Sequence, residues 1–505
     1  MEGWLYILSM TLMWGIIAAT VIHVVMENGQ PAKTMAWVLV IVFIPVIGIV
    51  LYLFFGLNHR KERLISQRSI DQLTKRSMLG FVEQQDFHVP ERHKQLIDLF
   101  INQNMALPFK DNSIDIMTDG YAFFPELLKD IAQARHHIHI DMYIIEDDPL
   151  GRLMADTLID KAKSGVEVRL IYDDVGCWKV GHAFFERMRE SGIEIAPYLP
   201  VRFPSFTSKA NYRNHRKLII IDGQVGYIGG MNIALRYVKG TASQPWRDTM
   251  LRMTGGVVYA LQRAFLVDWY FVDRTLITKR TYYPPLTPHH SSPASADSST
   301  KDRSVASHSP LLTLHSSLPT SNNCLAQVVT SGPTTRYPEI MQGYVRTILA
   351  ARRYVYIETP YFLPNEPVLF ALKTAAVGGV DVRIICPYRS DARFTDWASR
   401  SYLRELHEAG AKIYLYKTGF LHSKLMVCDD SLTTCGSSNV DFRSFENNFE
   451  ANVFIYDEGT ALRMKKIFLN DQSQSIPLSD VPRRLHPTFF RRLWESLTRL
   501  TSPLL

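Results

Sequence analysis

The chain has 505 residues, too many for one compact core, and its length predicts about three structural units of roughly 100–200 residues each. Charged residues make up 21% and hydrophobic residues 46% of the sequence, which excludes a wholly disordered, a collagenous or a disulfide-scaffold protein. The net charge of +7 fits nucleic acid, an anionic membrane surface or a phosphate-bearing substrate. Five scattered cysteines without a CxxC pair indicate reduced thiols facing a cytoplasm, rather than disulfides or a zinc site.

Two uncharged, apolar runs open the chain, at residues 4–26 and 34–57. Each is long enough to cross a hydrocarbon core of about 30 Å as a helix, which takes about 20 residues. A signal peptide would begin with a basic region, whereas this chain begins Met-Glu-Gly and a second run follows at once. The pattern therefore predicts a transmembrane hairpin over residues 1–58, with a kink at Pro45 in the second span.

The basic residues near the hairpin predict its orientation. The turn between the runs offers Lys33 alone, and the positive-inside rule therefore places both ends of the hairpin in the cytoplasm. The basic residues that directly follow the second run are Arg60, Lys61 and Arg63. We assign residues 59–105 to a juxtamembrane helical linker.

From about residue 90 the chain alternates apolar, β-rich runs with amphipathic helical stretches, the pattern of a sheet covered by helices. The first predicted elements are strands at 137–145 and 166–172 and helices at 151–164 and 183–190. The run Gly-Val-Glu-Val-Arg-Leu-Ile at 165–171 returns as Gly-Val-Asp-Val-Arg-Ile-Ile at 379–385. This repetition predicts two copies of one α/β domain, at residues 106–283 and 324–480.

Three further segments lie around the two copies. Residues 284–323 are crowded with proline, serine, threonine and histidine, which predicts a flexible linker. Residues 200–211 lengthen the first copy relative to the second, and are either a loop that dips into a membrane interface or an ordinary packed loop. Residues 481–505 form a basic amphipathic tail, which is either an interfacial anchor or a helix docked on the protein itself. The apolar side chains of this tail that share one helical face are Phe489, Phe490, Leu493, Trp494, Leu497 and Leu500.

One polar pattern occurs in both copies at a fixed offset. The first copy carries His-x-Lys-x4-Asp followed by Gly-x-x-Asn, and the second copy repeats these five positions 207 residues later. The chemistry-bearing residues of the two patterns are His215, Lys217, Asp222 and Asn232, and His422, Lys424, Asp429 and Asn439. A single His-x-Lys is more often a surface pair or a satisfied core histidine, but two complete patterns at one offset favour a shared catalytic site.

This set of side chains suits a phosphodiester. On a strand, a histidine and a lysine two residues apart project from the same face. The lysines can neutralise the phosphoryl oxygens and the asparagines can donate hydrogen bonds to them. One histidine can attack phosphorus, and the other can protonate the leaving alcohol and later deprotonate the acceptor. We expect no metal and no other cofactor, because the lysines supply the positive charge.

The duplicated pattern resembles the signature of the phospholipase D superfamily. Three further stretches are similar to the bacterial cardiolipin synthase family within it, as are the paired apolar runs and the ending Arg-Leu-Thr-Ser-Pro-Leu-Leu. The three stretches are Asn-Tyr-Arg-Asn-His-Arg-Lys at 211–217, Thr-Pro-Tyr-Phe-Leu-Pro at 359–364 and Asp-Phe-Arg-Ser-Phe at 441–445. The resemblance runs nearly end to end and implies two α/β sandwich domains related by a pseudo-twofold axis, with the site at their seam.

The resemblance also implies roles for individual residues. In that superfamily an acidic residue after each motif orients the histidine, and the matching positions are Asp248 and Glu450. Asp222 and Asp429 complete the catalytic motifs, although we expect them to act structurally by closing the turn that follows each strand. The family analogy favours His215 as the nucleophile and leaves the assignment open.

The function implied by the resemblance is phosphatidyl transfer between two phosphatidylglycerol molecules, giving cardiolipin and glycerol. We then expect membrane phospholipids as partners, no nucleic acid, and a place in the bacterial inner membrane with the catalytic domains facing the cytoplasm. The basic residues form no long stripe with interleaved aromatics, which disfavours a nucleic-acid groove. A hydrolase of the same fold and a membrane scaffold that has lost catalysis are the alternatives, and the completeness of both motifs disfavours the scaffold.

Overall fold

The computed structural model describes residues 2–27, 31–56, 89–201, 211–241, 244–285 and 321–502. Three of the predicted features fall outside this part of the chain in whole or in large part. These are the basic cluster after the second apolar run, the loop at residues 200–211 and the Pro/Ser-rich segment at 284–323.

The N-terminal runs form one long helix and one interrupted helix. Helix α1 (Glu2–Met26) contains a 24-residue apolar stretch, long and apolar enough to cross a membrane by length and composition. The second run is divided into α2 (Pro31–Phe43), α3 (Pro45–Leu51) and a π-helical turn (Tyr52–Gly56). The break falls at Pro45, which lacks a backbone N–H and whose ring disturbs the preceding turn. A second, uninterrupted span is therefore not confirmed.

The first copy contains helices on both sides of a mixed set of strands. Its helices are α5 (Gly120–Gln133), α6 (Pro149–Lys163), α7 (His182–Glu190), α8 (Arg236–Lys239) and α9 (Val257–Asp273). Its strands are β1 (Phe109–Met117), β2 (His137–Met142), β3 (Glu167–Asp173), β4 (Glu194–Tyr198), β5 (Lys217–Ile221), β6 (Val225–Gly229), β7 (Trp246–Arg247) and β8 (Met250–Thr254). The elements predicted between residues 137 and 190 are confirmed, with bounds that differ by a few residues.

The second copy repeats this succession. Its helices are α10 (Glu339–Ala350), α11 (Glu366–Val377), α12 (Arg393–Glu408) and α13 (Glu458–Ser473), and the short helix α14 (Pro482–Leu485) follows them. Its strands are β9 (Ser321–Ser331), β10 (Tyr354–Glu358), β11 (Phe362–Leu363), β12 (Asp381–Pro387), β13 (Lys412–Tyr416), β14 (Phe420–Leu421), β15 (Leu425–Cys428), β16 (Leu432–Gly436), β17 (Val440–Asp441), β18 (Glu450–Ile455) and β19 (Ser475–Pro477). Strand β9 begins three residues before the boundary that the sequence predicts.

The two copies share one continuous sheet. Among the described residues, fifteen strands run in the order β19-β13-β12-β10-β15-β16-β18-β9-β1-β8-β6-β5-β2-β3-β4. Read outward from the centre, each copy has the same order of equivalent strands, and the central pair, β1 and β9, is antiparallel. An antiparallel pair has a local twofold axis, so the pairing relates the copies as the resemblance implies. The predicted fold class, two α/β sandwich domains, is confirmed.

Both faces of the sheet are covered, which explains the unbroken apolar runs in the strands. In β5, Leu218 and Ile220 pack on one face against α9, and Ile219 and Ile221 pack on the other. The first of these cores continues across the seam to α13, whereas each copy has its own core on the opposite face. The shared core makes the seam a rigid part of the molecule, which is where the predicted site lies.

Helix α4 (Glu91–Asn104) is more than a linker. Its buried residues Leu96, Ile97 and Phe100 belong to the core of the second copy, where Phe100 packs on Phe454. The segment that the sequence assigns to a juxtamembrane linker therefore closes one face of the second copy, although it precedes the first copy in the chain. The five cysteines are free and buried.

The two motif aspartates lie at the far ends of strands β5 and β15, away from the histidines that precede those strands. Asp222 accepts three backbone hydrogen bonds, of 2.8–2.9 Å, from residues 135–137 at the start of β2. Asp429 accepts three, of 2.8–2.9 Å, from residues 352–354 at the start of β10. The carboxylates therefore hold neighbouring strands in register, a position that favours the structural role expected of them.

Replacing Asp222 or Asp429 with alanine is expected to destabilise the fold by about 2–4 kcal/mol, because several hydrogen bonds to a charged group are lost together. Burial raises the pKa of Asp429, but its three backbone donors outweigh burial and leave the pKa below its ordinary value. Its contribution is therefore present above that ordinary value and is lost as the pH falls through the lowered one. Thermal unfolding in detergent checks this prediction. A variant that is stable but inactive would instead support a catalytic role for the carboxylate.

Candidate active site

Backbone contacts across the seam position both histidines. His215 and His422 lie just before β5 and β15, which begin at residues 217 and 425, so the His-x-Lys segments lie at the strand entrances. The backbone N–H of His215 donates to the carbonyl of Phe449 over 2.9 Å, and that of His422 donates to Arg247 over 2.7 Å. Strand β7 also pairs in parallel with β14. Each histidine is thus held by the other copy of the domain.

The two acidic residues are exchanged between the copies. His215 Nδ1 lies 3.0 and 3.1 Å from the carboxylate oxygens of Glu450, which belongs to the second copy. His422 Nδ1 lies 2.6 Å from Asp248 Oδ2, in the first copy. Each imidazole therefore has a partner from the opposite copy, and neither copy alone contains an oriented histidine.

The hydrogen bonds select one tautomer of each ring. An ionised carboxylate can only accept a hydrogen bond, so Nδ1 carries the hydrogen and Nε2 keeps its lone pair. The side chains of His215 and His422 are 12% and 9% exposed, which leaves the rings reachable while most of each is shielded from water. In both rings Nε2 keeps its lone pair, and Nε2 of His422 lies 3.2 Å from Nζ of Lys424.

Burial and neighbouring charges together set the protonation states of the two histidines and the two carboxylates. Burial lowers the pKa of His215 to about 4, against the opposing effect of Glu450. Burial, with the charge of Lys424, lowers the pKa of His422 to about 3. For Asp248 and Glu450, burial raises the pKa, but the nearby lysine and histidine charges outweigh it and leave the pKa below its ordinary value. At neutral pH both rings are neutral and both acids are charged.

The two lysines are buried beside the histidines. Lys217 Nζ donates to the backbone carbonyl of His215 and lies 5.0 Å above the ring of Tyr143. Lys424 Nζ lies 2.8 Å from Nδ1 and 3.2 Å from Nε2 of His422. Burial lowers the pKa of Lys217 to about 7 and also lowers the pKa of Lys424. An anion in this place would favour the charged ammonium groups again.

The two motifs lie within electrostatic reach of each other. The charge of Lys424 lowers the pKa of His215, and the charge of Lys217 lowers the pKa of His422. Lys424 also contributes to the lowered pKa of Lys217. Two histidines and two lysines therefore converge on one cleft at the seam, which the repeat predicts.

Aromatic rings surround the histidines, and sequence reasoning did not identify them. Tyr143 packs edge-on against His215 with a centroid distance of 4.8 Å. Four rings lie 5.3–6.5 Å from His422: Trp246, Phe420, Tyr237 and Tyr361. They give the cleft apolar walls, which strengthen the electrostatic interactions inside it.

The motif asparagines hold the walls of the cleft. The side chain of Asn232 accepts from the backbone N–H of Ile144 over 3.1 Å and donates to the hydroxyl of Tyr237. The side chain of Asn439 donates to Asp441 over 3.0 Å. One amide N–H of each asparagine is thus engaged within the protein, and a role as phosphate donor stays a prediction for the other.

Two buried arginines connect the halves behind the histidines. Arg216, between the motif histidine and lysine, pairs with Asp268 and donates to the backbone carbonyl of Glu450 over 3.1 Å. Arg247 of the first copy lies 2.7 Å from Asp471 and 3.7 Å from Glu358, both in the second copy. Burial, followed by the charge of Asp471, raises the pKa of Glu358 to about 8. In the sequence, only the position of each arginine next to a motif residue could have identified Arg216 and Arg247 as part of the site.

A close approach explains the glycine at position 230, directly after the motif glycine Gly229. A Cβ atom at Gly230 would lie 2.1 Å from Asp248 Oδ1, the carboxylate that orients His422. We expect Gly230→Ala to displace this carboxylate and lower activity by about 10²-fold while the fold is retained. Gly181→Ala is the matched control, since nothing lies within 4 Å of a Cβ there. The assay is turnover of phospholipid in detergent micelles. Full activity of Gly230→Ala would show that the carboxylate position does not matter.

The duplicated sheet and the paired histidine, lysine and carboxylate set define a phospholipase D-type protein that acts on phosphodiesters. The fold is similar to the crystal structure of phosphatidylserine synthase from Haemophilus influenzae, with a TM-score of 0.57 at 14% identity. That similarity covers 82% of this chain and 100% of the other.

Sequence comparisons narrow the class further. The family model described as "Cardiolipin synthase, PLD-like domain" matches residues 127–243 and 344–472, and a phospholipase D-nuclease N-terminal model matches residues 15–56. A cardiolipin synthase of Alkalihalophilus pseudofirmus is 37% identical, over 95% of this chain and 90% of its own length. The major cardiolipin synthase ClsA of Bacillus subtilis is 36% identical, over 97% of both chains. The chain belongs to the cardiolipin synthase family of the phospholipase D superfamily. The bacterial relatives and the apolar α1 indicate association with a membrane.

Proposed function

We propose that this chain transfers a phosphatidyl group between two phosphatidylglycerol molecules, giving cardiolipin and glycerol through a phosphohistidine. The observation that carries the proposal is the crossed pairing of His215 with Glu450 and of His422 with Asp248 at one cleft. The relatives named cardiolipin synthase support the choice of lipid.

In the first half-reaction, Nε2 of His215 attacks phosphorus, and the bond from phosphorus to the glycerol oxygen breaks. His422, in its protonated form, gives its Nε2 proton to that oxygen, and glycerol leaves. The phosphorylated imidazole keeps its Nδ1 proton and is cationic, and Glu450 stabilises this charge. The pKa of His422 is low in the free enzyme and rises when the phosphodiester anion binds beside it.

In the second half-reaction, neutral His422 takes the proton from the terminal hydroxyl of a second phosphatidylglycerol. The resulting oxygen attacks phosphorus, the bond from phosphorus to His215 breaks, and cardiolipin leaves. Both histidines return to their starting protonation states, so the cycle is balanced and reversible. Lys217 and Lys424 neutralise the charge that develops on the phosphoryl oxygens.

We also propose that α2 and α3 together return the chain across the membrane, which places both termini of the hairpin and both domain copies in the cytoplasm. The contacts that support a hairpin are a small apolar cluster between α1 and the following helices, formed by Ile17, Val24, Ile41 and Tyr52. Labelling of single cysteines at residue 29 and in the domains, from either side of sealed vesicles, tests this orientation.

The proposed reaction is tested with purified chain in mixed micelles of phosphatidylglycerol, without added divalent ions. We expect cardiolipin and glycerol to form in equal amounts. Phosphatidic acid accumulating without cardiolipin would contradict transfer and would identify a hydrolase of the same fold.

A further inference from the structure

The C-terminal helix α15 (Phe489–Leu500) docks on α12 through its polar face. Glu495 is fully buried there, and Arg404 Nη1 donates to it over 2.6 Å while Arg400 lies 3.7 Å away. Thr498, on the same face, is also buried. The one carboxylate of α15 is therefore hidden and neutralised against the protein.

The apolar face of α15 points away from the protein. Phe489 is 74% exposed, Phe490 is 80% exposed and Leu500 is 77% exposed. Phe394 of α12, also exposed, extends this face through its contact with Trp494 at a centroid distance of 6.4 Å. We call these side chains the C-terminal apolar surface, which comprises Phe394, Phe489, Phe490, Leu493, Trp494, Leu497 and Leu500. The orientation is the reverse of that in an ordinary surface helix, which buries its apolar face.

Positive charge surrounds this surface. Arg393 begins α12, Arg492 lies on α15, Arg389 lies on the loop before α12 and Arg483 lies on α14; all four are exposed. With Glu495 buried, α15 presents apolar and basic groups to its surroundings. Aromatic side chains beside arginine are the combination that favours the interface of an anionic bilayer.

The surface adjoins the cleft. The ring of Tyr361 lies 6.5 Å from His422, and its hydroxyl donates to Asp391 over 2.7 Å. Asp391 precedes Phe394 by three residues in the same turn into α12. Tyr361 and Asp391 therefore connect the side of the cleft that contains His422 to the turn that carries Phe394.

We propose that the C-terminal apolar surface binds the interface of an anionic phospholipid bilayer and so places the cleft against the lipid headgroups. The proposal rests on the proposed function, since it explains how a headgroup phosphodiester reaches His422 while its acyl chains stay in the interface. The tail is then both docked on the protein and interfacial, so the two alternatives left by the sequence hold together.

The direct test uses Trp494 as a probe in the full chain, reconstituted into phosphatidylglycerol–phosphatidylcholine vesicles with bromine-labelled acyl chains. The contribution of Trp494 is the difference in emission between the parent and Trp494→Phe. We expect the brominated lipid to quench this contribution, and to quench it less in phosphatidylcholine alone. Trp494 emission that the brominated lipid does not quench would overturn the proposal. Trp494 emission that depends instead on the protein-to-lipid ratio would also overturn it, and would assign the surface to a second copy of the chain.

An activity ratio provides the second arm. The ratio compares turnover of phosphatidylglycerol in bilayers with turnover of monomeric, short-chain phosphatidylglycerol. The double variant Phe489→Ser, Phe490→Ser is expected to lower this ratio by about tenfold. Leu349→Ser with Val377→Ser is the matched control, because both side chains are exposed near the strand ends held by Asp429, away from the histidines. An unchanged ratio in the phenylalanine variant would overturn the proposal. Quenching of Trp494 without cardiolipin formation would refute the proposed function alone, and cardiolipin formation without quenching would refute the surface alone.

Discussion

Replacing His215 or His422 with alanine is expected to lower the rate of cardiolipin formation by about 10⁴-fold or more. The two imidazoles act in one cycle, one as nucleophile and the other as acid and base, so loss of either stops turnover. The double variant should be no slower than the slower single variant, because residues that act as a unit are not additive. The measurement is cardiolipin formed from phosphatidylglycerol in micelles, with circular dichroism to confirm the fold.

His182→Ala provides the matched control for these variants. His182 is an exposed histidine at the start of α7, and its replacement should leave the rate within about twofold. Histidine variants that support cardiolipin synthesis as well as the parent would refute the catalytic assignment and favour the scaffold.

Because each carboxylate pairs with the histidine of the other copy, replacing Glu450 and replacing Asp248 should slow different steps of the reaction. A phosphatidyl donor with p-nitrophenol as leaving group needs no acid for the first step, so its burst reports attack by His215 and its steady rate reports resolution by His422. Glu450→Gln should slow the burst by about 10²–10⁴-fold, because the imidazole loses the carboxylate that fixes its tautomer and stabilises its cation. Asp248→Asn should keep the burst and slow the steady rate by a similar factor.

The opposite pattern would contradict the crossed arrangement. If each carboxylate served the histidine of its own copy, Asp248→Asn would remove the burst and Glu450→Gln would spare it. Glu446→Gln is the matched control, since it makes the same chemical change four residues earlier, at a side chain that pairs with Asn365 instead. This control should keep both phases.

Much of the fold follows from local sequence patterns. The apolar run in β5 predicts a strand buried on both faces, and residues 218–221 are at most 3% exposed. The repeated stretches predict two copies, and the constant offset between His215 and His422 predicts a shared site. These features are local or periodic, so a single sequence contains them. The charge effects of each lysine on the opposite histidine agree with the predicted convergence.

The exchange of Glu450 and Asp248 could not be predicted in the same way. His215 and Glu450 are 235 residues apart, and no periodicity links one position in the first copy to one in the second. The position of Asp222 is a similar case, because the motif places it beside the histidine in sequence while the strand carries it to the other end of the sheet. Helix α4 also packs in the core of the second copy, although the first copy follows it in the chain. Tertiary contacts alone decide such pairings.

Trapping the intermediate tests the proposed mechanism most directly. The His422→Ala chain, mixed with the p-nitrophenol donor in micelles, lacks the base that resolves a phosphohistidine. We predict one equivalent of p-nitrophenolate per chain in a burst, followed by slow turnover, with mass spectrometry locating the phosphatidyl group on His215. Rapid turnover without a burst, or a phosphatidyl group on any other residue, would contradict the account.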